Sequence, residues 1–210
     1  MANTSKINGF KPVKHITGAP YNGQANIYEV PAGEAVPVFI GDLVKLSDSA
    51  ATSFYPACEA VVGASAQINA GPILGAVVGI VNVKQDPITG VMSGGSIALD
   101  TPVYRPASTK QFVLVADSPD LIYEAEADAS VGVASIGLNV GVGASAHTNP
   151  LLTGTSPMYV YSTTAPDTTS TRPLQIVGLV NRPDNEVGAH SKVYVRINVH
   201  SYGSVGVAGV

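Results

Sequence analysis

Turn-forming residues punctuate this chain from end to end, and no other feature constrains its fold as strongly. The 210 residues include 22 glycines and 15 prolines, spread so that about a dozen residues rarely pass without a turn signal. Long helices, coiled coils and helical repeats have no room in such a pattern. What remains is a set of short strands.

Composition narrows the class further. Hydrophobic residues make up 45% of the chain, charged residues 12%, and the net charge is −4. A disordered chain needs few apolar residues and many charges, so this one is expected to build a core, and as one domain at this length. The charged fraction is half the usual quarter or so. The longest apolar stretch, Gly71 to Val83, is too short and glycine-rich for a membrane helix of about 20 apolar residues. The first residues, MANTSKINGFKPVKH, carry lysines with no apolar run behind them, so no secretory signal is expected. A lone cysteine, Cys58, fits a reducing compartment and excludes an intrachain disulfide. A mildly acidic chain also lacks the basic surface that nucleic-acid binding requires.

Strand signals dominate. In Lys192 to His200, residues Val193, Val195, Ile197 and Val199 share one face and polar residues the other, which predicts a half-buried strand. Leu174 to Asn181 is apolar on both faces and should lie centrally. Arg182 to Gly188 between them reads as a hairpin connection. Other predicted strands are Ala25–Val30, Val36–Ile40, Leu43–Leu46, Ile73–Val83, Ile97–Tyr104, Gln111–Ala116, Leu121–Glu126 and Met158–Tyr161. Ser118-Pro119-Asp120 could open a helix, but the alternation after it favours a turn and then a strand. Residues 1–24, 129–156 and 162–173 read as long loops. About ten short, mostly antiparallel strands with such loops predict an all-β sandwich or barrel. The division is an extended N-terminal arm (1–24), a single β-rich domain (25–203) and a flexible or partner-docking tail (204–210).

Chemistry-bearing motifs are sparse. Gly141-Val142-Gly143-Ala144-Ser145-Ala146 fits a dinucleotide fingerprint in letters, but Asn149-Pro150 stops the helix that the fingerprint needs. The similarity of Val62–Ala66 to Val142–Ala146 is what a chain rich in Gly, Ala, Ser and Val gives by coincidence. Asp117, Asp120, Glu124, Glu126 and Asp128 place five of the fifteen carboxylates in one short window. They could form a cation site or an acid–base pair; without a second cluster to complete a site, turn and edge roles are the better reading. His15, His147, His190 and His200 are too scattered for a metal, and Cys58 has no neighbouring cation to activate it. No cofactor and no enzymatic activity are expected.

The arm holds the more informative charge. Lys6, Lys11 and Lys14 precede the first acid, Glu29, so the first 28 residues carry +3. Gly9, Pro12, Gly18, Pro20 and Gly23 should keep the segment irregular. Ile7, Phe10, Val13, Ile16 and Tyr21 give it more apolar content than a solvated tail. Such an arm suits docking on an acidic neighbour.

Three blocks give the chain a family resemblance. The first is Asn8 to Val13 (NGFKPV) with Ile40 to Leu46 (IGDLVKL). The second is Tyr104 to Ser108 (YRPAS) with Val113 to Glu124 (VLVADSPDLIYE). The third is Leu174 to Gly188 (LQIVGLVNRPDNEVG) with Val193 to His200 (VYVRINVH). With them the chain resembles the head decoration, or cement, proteins of tailed bacteriophages. It departs at Asp117-Ser118-Pro119, where family members commonly carry Asp-Asp-Pro. The resemblance implies a non-enzymatic virion protein made in the host cytoplasm. It would bind the outer capsid surface as a homotrimer or dimer, with the trimer favoured, and bridge major capsid subunits against internal DNA pressure. Lys6, Phe10, Lys11, Val13 and Lys14 are the residues expected to dock on the capsid. A tail, fibre or host-attachment domain is the alternative.

Overall fold

A computed structural model describes residues 3–49, 51, 53–61, 70–81, 103–145, 153–203 and 206–209, and the backbone of 83–85 and 92–94. The strands, in chain order, begin with β1 (Lys11–His15), β2 (Asn26–Val30), β3 (Leu43–Leu46), β4 (Cys58–Ala60) and β5 (Gly75–Val81). They continue with β6 (Val83–Gln85), β7 (Met92–Gly94), β8 (Gln111–Ala116) and β9 (Leu121–Glu126). The last four are β10 (Asn139–Ala144), β11 (Met158–Tyr161), β12 (Leu174–Leu179) and β13 (Lys192–Ile197). One antiparallel sheet runs β1-β9-β13-β12-β10-β11 and a second runs β2-β8-β5-β3-β4, with β6 and β7 paired by themselves.

Alternation along β13 has the expected result: Val193, Val195 and Ile197 are buried and the residues between them are half-exposed. Each such side chain is worth about 1.5–3 kcal/mol over exposure, enough to fix the register. Together with Tyr123, Ala125, Leu174, Ile176, Val140 and Val142 they meet Phe10, Leu43, Ala76 and Ala116 of the other layer in one core. The opposite face of the five-stranded sheet encloses a second, smaller core around Val44, Leu74, Val77, Val113 and Val115. Both sheets curl. Glu29 meets Ala57 and Ala127 meets Val160 through isolated bridges, so the ends approach without a ladder. The result is sandwich-like, not a closed barrel.

Several predicted strands match to the residue, but four departures have physical causes. Val36–Ile40 makes isolated bridges, Val38 with Arg105 and Ile40 with Thr155. Pro37 supplies no ladder donor, and Phe39–Asp42 turns back on itself. The expected irregular arm contains β1, which pairs with β9 and shifts register between Pro12 and Lys14; an edge position with a bulge is where a sheet accepts proline. The expected loop 129–156 contains β10, buried throughout. Its Gly143 lies under the ring of Tyr159, where a Cβ would come within 2.6 Å. In the tail, Val207 exchanges bonds with the Asn198 side chain and accepts one from Asn139, so residues 206–209 dock on their own chain. Residues 97–102 of the predicted strand Ile97–Tyr104, and the segment Val62–Ala66, lie outside the described residues.

Arg105, from the Tyr104–Ser108 block, holds the loops at one end of the smaller core. It is fully buried and donates to the carbonyls of Pro31, Glu34, Val36 and Thr109 at 2.6–2.8 Å. Removing it leaves those acceptors dry, at about 1–3 kcal/mol each. Arg105→Met should therefore lower the urea unfolding free energy by about 3 kcal/mol or more. A loss under about 1 kcal/mol would mean that the carbonyls have other donors.

Candidate docking site

Two halves of the first sequence block interlock. Gly9, at φ +69°, lies so close to the Gly41 carbonyl and to Ser156 that a Cβ would stand 2.5 Å from each. Gly41, at φ +96°, faces the Asn8 carbonyl, 3.0 Å from where its own Cβ would be. Only glycine combines this backbone with this approach. The Phe10 N–H donates to Gly41 O at 2.9 Å, the Gly41 N–H to Val77 O at 2.8 Å, and the Ser156 N–H to Ile40 O at 3.1 Å. Arm, five-stranded sheet and the segment entering β11 are thereby joined at one point.

Asp42 is buried beneath this junction. One carboxylate oxygen accepts the Phe39 N–H at 2.8 Å and the other has no partner. Burial pushes the carboxyl up to about 7, with hydrogen bonds from Ser156 and Phe39 offsetting part of the shift.

The expected docking residues divide. Phe10 is 1% exposed and belongs to the chain's own core, so it anchors the arm and reaches the surface only as part of the floor of a groove. Val13 is half-buried at the β1 bulge, whereas Lys6, Lys11 and Lys14 are exposed. The Lys14 ammonium lies 5.4 Å from the centre of the Tyr194 ring.

The arm docks on one carboxylate of its own chain, through Ser5 and the backbone of Lys6 and not through its ammonium groups. Buried Glu126 accepts the Ser5 hydroxyl at 2.8 Å and the Lys6 N–H at 2.7 Å, and lies 3.2 Å from His190 Nδ1. Glu124 pairs with Arg182 at 2.8 Å. Asp117 accepts from Asn26 and from the Tyr28 hydroxyl at 2.6 Å, and Asp128 accepts from Ser162 and Thr163. Four of the five clustered carboxylates thus hold segments together, and Asp120 lies exposed in the turn before β9. Among the described residues no group of His, Cys, Asp and Glu could hold a metal. Cys58 is buried and its thiol is pushed up to about 12 by desolvation. His147 lies outside the described residues; His15 is half-buried and His200 buried.

Beside the junction lies a groove of about 630 Å³. Phe10, Ile40, Val77, Val78 and Val103 give it apolar walls, and Lys11 stands at its rim. Ile40 is 42% and Val103 59% exposed. Lys11 also borders an adjoining cleft with Lys6 and Lys192. Glu124 and Glu126 line the same cleft, across the sheet from Lys11 and Lys192 respectively; Glu124 is paired with Arg182, and Glu126 is bonded to Ser5, the Lys6 N–H and His190. The sequence marks the lysines, whereas Ile40 and Val103 fall in predicted strands and carry no signal of their own. Comparison with family models, with curated proteins and with solved structures gives no match.

Asp42 generates a pH prediction. Its folded value of about 7 lies above the ordinary 3.8, so between those values the folded protein keeps a proton that the unfolded chain releases. Stability from this group falls as pH rises through that window and is level above it. Asp42→Asn removes the dependence, so its Tm advantage over the wild type should grow from about pH 5 to about pH 8. A constant difference would contradict the buried, proton-holding carboxyl.

Proposed function

We propose that the chain is a structural virion protein. It binds the outer surface of a phage head, cements neighbouring major capsid subunits, and works as a homo-oligomer, the trimer favoured. The observation that carries this reading is the way the first block of the resemblance interlocks through Gly9 and Gly41. That junction fixes an arm whose Lys11 borders an apolar groove and whose Lys6 borders the adjoining cleft. Large apolar side chains stand exposed elsewhere too, among them Phe54, Val133 and Val187, in a chain with half the usual charge. Interface cores are likewise depleted in Lys, Glu and Asp.

Mass action supplies the mechanism. A ligand that binds the assembled lattice and not the free subunits stabilises the lattice by its binding free energy. A closed oligomer engages several sites together, so modest contacts suffice. The five clustered carboxylates give no support to a hydrolase, since four of them are used in holding the fold.

Purified protein should sediment as a homo-oligomer and rebind heads stripped of it, while ignoring free capsid subunits. A monomer that ignores stripped heads would overturn the proposal, and labelling of the tail in intact virions would point to the tail or fibre alternative. Deleting residues 1–24 is not a clean test of docking, because it removes β1 and the buried Phe10 along with the lysines.

A further inference from the structure

We infer that Asn22 is a site of spontaneous covalent modification, at which the side-chain amide is lost and part of the population reroutes its main chain through the side chain. Asparagine is thermolabile, and most so before glycine, which has no Cβ to keep its nitrogen from the preceding side chain. The sequence holds two such pairs, Asn8-Gly9 and Asn22-Gly23. Sequence makes them equal; the fold separates them.

The first pair is locked. Gly9 is buried, with Gly41 O and Ser156 2.5 Å from where its Cβ would stand, and the Phe10 N–H after it is bonded to Gly41 O. Closing a ring on the Asn8 side chain requires the Asn8-Gly9 peptide to turn, and Gly9 has no room to turn. The second pair is open. Asn22, Gly23 and Gln24 are exposed and lie in no strand, and beyond its chain neighbours nothing would stand within 4 Å of a Cβ on Gly23. A further feature favours reaction there: the Gln24 N–H donates to Asn22 Oδ1 at 3.4 Å. Negative charge develops on that oxygen when Cγ is attacked, and a donor already aimed at it lowers the barrier.

The Gly23 nitrogen bonds to Asn22 Cγ as its proton is lost. The Cγ–Nδ2 bond breaks, and the side-chain nitrogen leaves with a proton as ammonia, closing a succinimide. Water then opens the ring. Cleavage between the Gly23 nitrogen and Cγ gives aspartate, and cleavage between that nitrogen and the Asn22 main-chain carbonyl carbon gives isoaspartate. Either product adds a carboxylate to a chain already at −4. Isoaspartate also lengthens the main chain between Tyr21 and Gln24, which the Tyr21 hydroxyl spans by donating to Gln24 O at 3.0 Å. The Tyr21 N–H in turn donates to Val13 O at 3.0 Å, and Pro20 bridges Lys14. The modification thus falls on the link that leads from β1 to β2.

The test incubates the full chain in mildly alkaline buffer, folded and unfolded in guanidinium, and follows both asparagines by peptide mass spectrometry. Synthetic peptides distinguish isoaspartate from aspartate by retention. In the folded protein Asn22 should convert to both products while Asn8 lags about tenfold or more, as displaced reacting groups do. Unfolded, the two should convert at similar rates. Equal conversion of the two in the folded protein, or a folded Asn22 that stays intact while the unfolded one converts, would overturn the inference. Asn22→Gln, whose longer side chain disfavours ring closure, should abolish the acidic species that grows on ion exchange; its growth at the wild-type rate would place the reaction elsewhere and overturn the inference too. In the isolated isoaspartate fraction the Tyr21 amide should exchange hydrogen faster than in fresh protein. An unchanged Tyr21 amide would overturn the effect on the link.

Discussion

The close approach of Gly9 to Gly41 is the constraint on which the rest of the molecule depends. With a Cβ at Gly9 excluded by the Gly41 carbonyl and by Ser156, the arm enters the sandwich in one way. Phe10 is placed in the main core and its N–H on Gly41. From there β1 is set against β9, the Lys6 N–H meets Glu126, and the lysines face outward. The same junction ties Ile40 to Ser156 and so sets the segment entering β11 beside the five-stranded sheet. A buried carboxyl, Asp42, sits underneath, at an energetic cost that depends on pH.

Charge is distributed by the same logic. A chain with few charged residues spends most of one acidic cluster on holding its own segments: Asp117 on β2, Glu126 on the arm, Asp128 on the loop after β11. The arm's lysines face outward, Lys11 across the sheet from Glu124, and apolar side chains remain in water at the groove edges and loop tips. A surface that leaves apolar side chains in water is one that a partner would complete. The low charge of the sequence is therefore a property of the exterior as well as the core.

Much of the fold was legible where short apolar runs are bounded by turn formers. Leu43–Leu46, Gln111–Ala116, Leu121–Glu126 and Met158–Tyr161 form strands at those bounds; β11 and β13 alternate buried and half-exposed residues, whereas β8 and β9 are buried on both faces over most of their length. Residues whose role depends on long-range packing were not legible. Gly141 and Gly143 read as loop formers, yet Gly143 sits in a fully buried strand because Tyr159 fills the space above it. The prolines and glycines of the arm read as irregularity, but an edge with a bulge absorbs Pro12 and a positive φ uses Gly9. Of the candidate site, the lysines were visible as charge, whereas Phe10 looked like a docking residue and turned out to be the anchor. Nothing local marks Ile40 or Val103 as groove walls, since their exposure is set by segments far away in sequence.

The central claim is that the arm is an integral part of this sandwich and builds the groove while docked on its own chain. Native-state hydrogen exchange of the isolated protein tests it most directly. The account predicts that the Phe10 amide, bonded to Gly41 O, and the paired amides of β1 are protected to nearly the level of β9 and β13. Exchange of Phe10 and β1 at the rate of a free peptide, with β9 and β13 still protected, would contradict it.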